Sequence, residues 1–580
     1  MHYAELSDLL KQETQPITIR YTELYRILCV VLNEATAESQ MDFSGPFARL
    51  TFLFSKLQLP VSKRIRLNEL RARCLSLDHY EEKELKELLP YDILAIVQFM
   101  EMLEERKAPS DLLIQLPTGK THPTSYKTTV KDNLRVCVTE IEDSFLTGVL
   151  ERPSTIDNSN SETLRICYAD PENRMGNGEY LQKLIKKGTQ LNLVKVQMKD
   201  GVCYPELIIL EPDFLIDVSR LSRCFSECGP SPYFHILNML QPSVSSYAIL
   251  MGNMAGMLLD RELGNREQEA ADYKSCAKEF MQKNALEILA CQETFEKFHP
   301  EAMQQQQNIR LALETLGNEE KAYCREQTLL EPTFICELLG LQGRMDFLQD
   351  DLSVLLEQKS GKREFSTNSH REPHYVQMLL YQAMLHYSFS IKNDDISSFL
   401  LYSKFDDGLI KEGPAPKLLF EALKIRNQMV WLQFYMANGG STLLELLEPE
   451  HFNTAKCKNR LWTDFVRPKI AQTLDAFRMN DETTKSYVHR MLTFVAREHL
   501  LAKIGVPGRE ASGVSSLWSC SLEEKIVAGS IYYNLTILPK YDDGGKTEFL
   551  TFTFPSDENT ATSPLTYLPN FRPGESALLY

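Results

Sequence analysis

Multidomain α+β is the fold class predicted by the 580-residue sequence, and three observations predict it. Residues 1–115 carry apolar side chains at helical spacing with few turn breakers. Residues 126–215 change to alternating, strand-like runs. Within residues 216–414, helical segments lead into two more strand-like runs and a further helix, the mixture expected of an α/β core. With 43% hydrophobic content, the chain is long enough for three to five domains with real cores.

Taken in order, helical periodicity is clearest in residues 19–33, 47–57 and 81–105, which defines a helical N-terminal domain over 1–115. Thr118-Gly119-Lys120-Thr121 has the ending of a nucleotide-binding loop, but the glycine required five places before Gly119 is Ile114, so the motif fails. Strands over 134–139, 163–168, 191–198 and 203–210, with Asp200-Gly201 as a tight hairpin signal, predict a small OB-like β-barrel over 126–215. Such barrels bind single strands by stacking bases on aromatics. These strands hold few aromatics, so a packing role stands beside the binding one. Lys183, Lys186 and Lys187 are a candidate basic feature for nucleic-acid binding, beside the more ordinary reading of a solvated helix end. Residues 216–320 read as helices, including a long polar one through Gln304 to Gln307, and the α/β domain is placed at 216–414. A second helical domain covers 415–510, with Trp431, Phe434 and Tyr435 assigned to its core. Residues 521–580 return to strands, 530–538 and 547–554 around the turn Asp542-Asp543-Gly544-Gly545, and end on Asn570-Phe571-Arg572-Pro573-Gly574 and an apolar 577–580.

The chemistry concentrates in residues 340–359, GLQGRMDFLQDDLSVLLEQK. Residues 343–348 and 352–358 are apolar and Gln349-Asp350-Asp351 is turn chemistry, so a β-hairpin is expected. Alternation of side chains sets Glu357 and Lys359 on one face. Asp346 joins that face if it pairs opposite Leu355, across an even-length loop centred on Asp350 and Asp351. Glu357 is then its diagonal neighbour at roughly 7–8 Å, a gap that one Mg²⁺ or Mn²⁺ at about 2.1 Å from each carboxylate bridges. Two carboxylates so close repel, and a cation resolves the conflict. It would acidify a water, while Lys359 adds positive charge to that water or to the transition state of phosphodiester hydrolysis. The same ExK spacing at Glu81/Lys83, Glu84/Lys86 and Glu319/Lys321 falls in charged helical contexts and is discounted as solvated surface. After a polar loop, Pro373 can start a helix in its first turn, with Gln377 and Tyr381 four apart on one face.

On these residues the chain resembles a known family. Asp346, Glu357-Gln358-Lys359 and Gln377 with Tyr381 look like the D, ExK and QxxxY motifs of RecB-like PD-(D/E)xK nucleases. GLQGRMD, LEQKSGK and HYVQMLLY are most similar to the nuclease half of the flap-trimming DNA-replication helicase/nuclease family, strongly over 340–381 and more weakly over 236–401. The resemblance implies a core with a mixed central sheet and single-stranded or flap DNA as substrate. It assigns Asp346 and Glu357 as metal ligands, Lys359 as the catalytic lysine, and Gln377 and Tyr381 as residues supporting the site or touching DNA. Lys362 and Arg363 are candidate DNA contacts beside it.

Two departures accompany the resemblance. Relatives often carry a GxxxH helix whose histidine is a further ligand; the best match here, Gly252-Asn253-Met254-Ala255-Gly256, has glycine in that place. Asp260, one turn on, and Glu337 are candidate replacements, against the ordinary reading of each as a solvated acid. Relatives with an iron-sulfur cluster place three cysteines after the QxxxY helix, whereas only Cys457 and Cys520 follow Tyr381 here, so no cluster is expected. Cys224 and Cys228 lack a second pair at zinc spacing.

A net charge of −16 argues against a broad nucleic-acid surface, so DNA binding should rest on local basic groups. Thirteen cysteines without framework spacing, no signal peptide and no apolar run of about 18 residues point to a reducing cytoplasm and no membrane. The β-rich end resembles the start of a helicase-associated barrel. Because the chain carries no ATP-binding loop, a superfamily 1 helicase motor is expected on a missing C-terminal part or a separate chain. The expected function is metal-dependent DNA cleavage in replication, repair or defence. The alternatives are a degenerate nuclease fold kept as a DNA- or protein-binding module, and a helical scaffold.

Overall fold

The computed structural model describes residues 2–117, 133–150, 163–169, 178–199, 202–240, 245–264, 272–364, 370–506, 513–519, 525, 531–532, 535–538 and 551–553, less 13, 38–45, 58, 60, 76, 78–79, 81, 294 and 321. Two compact units make up the chain: Met1–Tyr168 with Ile185–Pro205 and Glu498–Tyr580, and Ala169–Leu184 with Glu206–Arg497.

The first unit begins with helices α1 (Tyr3–Lys11), α2 (Ile17–Thr36), α3 (Pro46–Lys56), α4 (Val61–Cys74), α5 (Glu82–Glu104) and α6 (Ser110–Leu113). Leu24, Leu28, Val31 and Leu32 recur at helical spacing on α2 and meet Leu89, Ile93, Ile96 and Phe99 of α5 in one apolar core. Inside it, Arg73 and Asp92 form a fully buried ion pair at 2.9 Å, and the Tyr21 hydroxyl donates to the same carboxylate at 2.7 Å. Helices α1 and α4 fall outside the three segments of clearest periodicity.

Strands β1 (Asn133–Ile141), β2 (Phe145–Leu150), β3 (Thr163–Cys167), β4 (Gln190–Lys199) and β5 (Val202–Leu210) follow. They hydrogen-bond in the order β1-β2-β3-β5-β4, and β1 also pairs with β4, so the ring closes. The β3–β5 pair is parallel and the β1–β2, β2–β3 and β1–β4 pairs are antiparallel. Alternate residues Val136, Val138, Leu146, Ile166, Leu191 and Leu193 fill the interior. Strand β2 was not anticipated, because Gly148 interrupts its short apolar pattern.

The second unit carries β6 (Ile216–Asp217), α7 (Val218–Ser222), α8 (Tyr233–Leu240), α9 (Tyr247–Gly264), α10 (Tyr273–Lys283), α11 (Ala285–Ala290) and α12 (Phe298–Glu319). These are followed by β7 (Thr328–Leu330), β8 (Thr333–Cys336), β9 (Leu341–Arg344), β10 (Phe347–Gln349), β11 (Val354–Lys359), α13 (Glu372–Phe389), β12 (Ser397–Tyr402) and β13 (Leu409–Glu412). Helices α14 (Pro416–Ala437), α15 (Leu443–Leu446), α16 (Arg467–Arg478) and α17 (Glu482–Ile504) come next. Trp431, Phe434 and Tyr435 are half-buried, Trp431 stacked on Tyr435 and Phe434 edge-on to Phe214.

Five strands form a mixed sheet, β13-β12-β11-β10-β7, in which only the β11–β12 pair is parallel. Leu250, Met254 and Leu258 of α9, with Ile309 and Ala312 of α12, cover one side of it against Phe347, Val354, Leu356 and Leu401.

The expected hairpin is corrected in two respects. The run 343–348 is not one strand: β9 joins a separate sheet, β6-β9-β8, and the chain changes sheets at Met345-Asp346. The reason lies on the neighbouring segment. Glu331, at φ +48°, and Pro332, which has no N–H to donate, separate β7 from β8 directly opposite Met345-Asp346, to which they still hydrogen-bond. The pairing is also displaced: Phe347 faces Leu356 and Leu348 faces Leu355, which carries Asp346 opposite Glu357 rather than Leu355. Here the turn spans residues 350–353, because the Asp351 carboxylate holds the Ser353 N–H at 2.9 Å and Leu352 takes φ +64°. A shift of two residues leaves Asp346 on the face expected for it.

Of the C-terminal strands, β14 (Thr536–Leu538) pairs antiparallel with β15 (Thr551–Thr553), after α18 (Ser516–Ser519). The segment Thr118–Thr121, the turns at Asp200-Gly201 and Asp542–Gly545, Cys520, and the ending 570–580 lie outside the described residues. Among the described residues, no helix is long and apolar enough to cross a membrane.

Candidate active site

The sheet change brings Asp346 to the last turn of β11. Its Oδ2 accepts the backbone N–H of Gln358 at 2.7 Å, which fixes a half-buried carboxylate beside Glu357. Glu357 is 2% exposed. Its Oε1 accepts the Lys359 ammonium at 2.6 Å and the Gln377 amide at 2.7 Å. The Gln377 carbonyl in turn accepts from Lys359 at 3.0 Å. Helix α13 presents Gln377 because Pro373 opens its first turn, as expected, and Tyr381 follows four residues on the same face. The Tyr381 hydroxyl receives Gln377 Nε2 at 3.2 Å and donates to the Arg344 carbonyl at 2.7 Å. One hydrogen-bonded chain therefore joins Lys359, Glu357, Gln377, Tyr381 and the strand leading into Asp346.

Gly343 gives this chain its room, and Gly340 gives room to a buried arginine nearby. A Cβ on Gly343 would stand 2.6 Å from the Tyr381 ring. Gly340, at φ +62°, lies against the buried Arg426 guanidinium, which donates to the carbonyls of Leu210, Glu211, Phe214 and Gly340. Burial pulls Arg426 down to about 9.

Burial, then the neighbouring Asp346, push the Glu357 carboxyl up to about 8 against the pull of Lys359. Burial likewise raises Asp346, opposed by Lys359 and the Gln358 N–H. Glu357 Oε2 is buried with no hydrogen-bond partner among the described residues. A buried carboxylate whose charge a second carboxylate opposes needs a proton or a cation, so the pair suits a hard divalent ion. Among the described residues, no three His, Cys, Asp or Glu side chains converge as a metal-holding group. A centre here would rest on two protein carboxylates, and Mg²⁺ is commonly held by one or two.

The other sequence candidates fall in distinct places. Gln358 Nε2 donates to the Ala255 carbonyl at 3.2 Å, pinning α9 behind the strand, and a Cβ on Gly256 would meet nothing within 4 Å. Asp260 is half-buried; burial, Glu331 and Asp346 raise it to about 6, which puts it in electrostatic range of the pair. Glu337 is exposed in the turn between β8 and β9. Lys362 is exposed. Arg363 is held by both Asp407 oxygens, at 2.7 and 2.9 Å, with its guanidinium 4.5 Å from the Phe405 ring centroid. Lys183, Lys186 and Lys187 are exposed. Cys224 lies 3.7 Å from the Met429 sulfur, and the Cys228 thiol, which is free, shares a hydrogen bond with that of Cys457.

Residues that the motifs did not reveal also border the site. Gln305 and Asn308 of α12 are buried and reach the strand ends just beyond Lys359. The sequence signal was there: Gln305 sits in line with Phe298, Ala302, Ile309, Ala312 and Leu316, a polar residue on an apolar stripe.

Fold and site together describe an α/β core with two neighbouring carboxylates and a lysine at the C-terminal end of the central strand of a mixed sheet. Residues 177–347 match the family model described as DNA replication factor Dna2, under a third of the chain. The match runs through Asp346 and stops before Glu357. No curated protein matches the chain.

Proposed function

We propose that this chain is a metal-dependent DNA nuclease with a RecB-like PD-(D/E)xK core, hydrolysing phosphodiester bonds in single-stranded or flap DNA. The observation that carries the reading is the buried Glu357 carboxylate, its Oε1 holding Lys359, its Oε2 without a side-chain partner among the described residues, and its charge opposed by Asp346. Asp346 and Glu357 would hold Mg²⁺ or Mn²⁺, whose chemistry when bound is to lower the pKa of a water and offset phosphoryl charge. Lys359 supplies a fixed positive charge for the attacking water or the transition state. Gln377 orients both Lys359 and Glu357, and Tyr381 fixes Gln377 against β9. Lys362 offers an exposed cation for a flanking phosphate, whereas Arg363 would first have to leave Asp407.

The match to a DNA replication factor supports DNA as the substrate class and replication or repair as the setting. The strand order β1-β2-β3-β5-β4, with its parallel β3–β5 pair, supports an OB-like reading of the barrel. The proposal places a superfamily 1 helicase motor outside this chain and includes no iron-sulfur cluster and no ATP site within it.

A second reading, a degenerate nuclease fold kept for binding, is favoured by glycine at position 256, where relatives often carry a histidine. One experiment separates the two: cleavage of end-labelled single-stranded and flapped DNA with Mg²⁺ or Mn²⁺ by wild type, Glu357→Ala and Lys359→Ala. Cleavage by the wild type, lost in both variants, supports the nuclease. DNA binding without cleavage by the wild type supports the binding module.

A further inference from the structure

The polar face of α12 performs no step in the proposed chemistry, yet it is buried against the end of the strand that carries Lys359. Gln305 and Asn308 are 2% and 3% exposed. Gln305 Nε2 donates to the Ser360 carbonyl at 3.4 Å, and its Oε1 accepts the Ser403 hydroxyl at 2.7 Å. Asn308 Nδ2 donates to the Ser403 carbonyl at 2.9 Å, and Gln304 satisfies Asn308 Oδ1 at 3.0 Å. Ser403 closes the arrangement: its N–H donates to the Lys359 carbonyl at 3.0 Å, continuing the parallel β11–β12 pairing by one residue.

We infer that Gln305, Asn308 and Ser403 are positioning residues for Lys359, an inference that rests on the nuclease reading of the site. The physical reason is the length of β11. Lys359 is its last residue, and the next residues, Ser360 and Gly361, leave the sheet. A strand end frays unless its carbonyls are held, and the carbonyls of both Lys359 and Ser360 are held from this one cluster. With the backbone pinned there, the ammonium keeps its place between Glu357 Oε1 and Gln377 Oε1. A misplacement of about 1 Å in such a group can cost ~100-fold in rate.

The test uses the full chain and four proteins: wild type, Gln305→Leu, Ser403→Ala and Ile309→Val. Ile309 is buried on the same helix and makes none of these bonds, so its variant controls for loss of stability alone. The expected result is a kcat for single-stranded DNA lower by about 10- to 100-fold in Gln305→Leu and by less in Ser403→Ala, with KM unchanged. Acylation of the Lys359 amine, read by mass spectrometry against exposed Lys362, should be several-fold faster in Gln305→Leu than in wild type. Unchanged kcat and unchanged Lys359 labelling overturn the inference, as does a loss of kcat no greater than in Ile309→Val at equal melting temperature. A wild type that never cleaves, paired with faster Lys359 labelling in Gln305→Leu, overturns the nuclease reading and leaves the clamp standing.

Discussion

Gly343→Ala tests how tightly the site is built. The added Cβ would stand 2.6 Å from Tyr381 Cε1 and 3.2 Å from Val218 Cβ. Carbon atoms rest at about 3.5–4.0 Å, so the Tyr381 ring must retreat by about 1 Å. Val218 blocks the other direction. The Tyr381 hydroxyl now donates to the Arg344 carbonyl at 2.7 Å, and a 1 Å retreat takes that bond beyond the usual limit of about 3.2 Å. Overpacking of this kind costs ~1–3 kcal/mol, and the broken bond adds ~0.5–1.5 kcal/mol. Urea denaturation of Gly343→Ala should therefore show a loss of about 2–4 kcal/mol in the transition of the unit that holds it. Tyr381→Ala alone should cost ~3–5 kcal/mol through its cavity. The double variant should lose less than the sum by at least ~1 kcal/mol, because the methyl enters space the ring has left. Additivity within ~0.5 kcal/mol would show that Gly343 does not make room for Tyr381, and the stated reason for glycine there would be wrong.

Other outcomes follow from the same structure. Mg²⁺ or Mn²⁺ should raise the melting temperature of the wild type, by the equivalent of ~2.7 kcal/mol at a hundred times Kd, and leave Glu357→Gln unmoved; differential scanning fluorimetry reads this. Tyr381→Phe keeps the ring and removes the hydroxyl, so stability should fall by ~1 kcal/mol in urea while cleavage falls further, Gln377 having lost its support. Arg426→Met strands four carbonyls that the guanidinium now serves, and should cost several kcal/mol, at ~1–3 kcal/mol for each group left unpaired; a variant within ~1 kcal/mol of wild type would exclude this role for Arg426. His374 is held down at about 3 by burial and by Lys359, Arg371 and His370, against 6.5 when unfolded. A proton taken up only by the unfolded chain makes stability fall as pH drops from about 6.5 toward 3, and His374→Gln should flatten that limb of the stability–pH curve.

The parts of the site that a single strand or helix dictates were legible in the sequence. Period-2 alternation put Glu357 and Lys359 together, and i, i+4 spacing put Gln377 beside Tyr381. What depends on another segment was not legible. The break at Met345-Asp346 is set by Glu331-Pro332 on a neighbouring run, and the longer turn is set by the Asp351 side chain. Asp346 still reached its expected face because the pairing shifted by two residues, an even number. Asn308 and Ser403 are 95 residues apart in the chain, so no local pattern could announce their bond. In the barrel, β2 hid behind Gly148, whereas β1, β3, β4 and β5 each carry a recognisable run of apolar residues.

The parallel pairing of β11 with β12 also bears on when the site can exist. Asp346, Glu357 and Lys359 leave the ribosome early, but the strand beside them is residues 397–402, and Ser403 is later still. Partners that close long loops pair late. During synthesis the three chemical groups are therefore present before the frame that sets them, and a chain stopped short of residue 403 carries the full motif without the geometry.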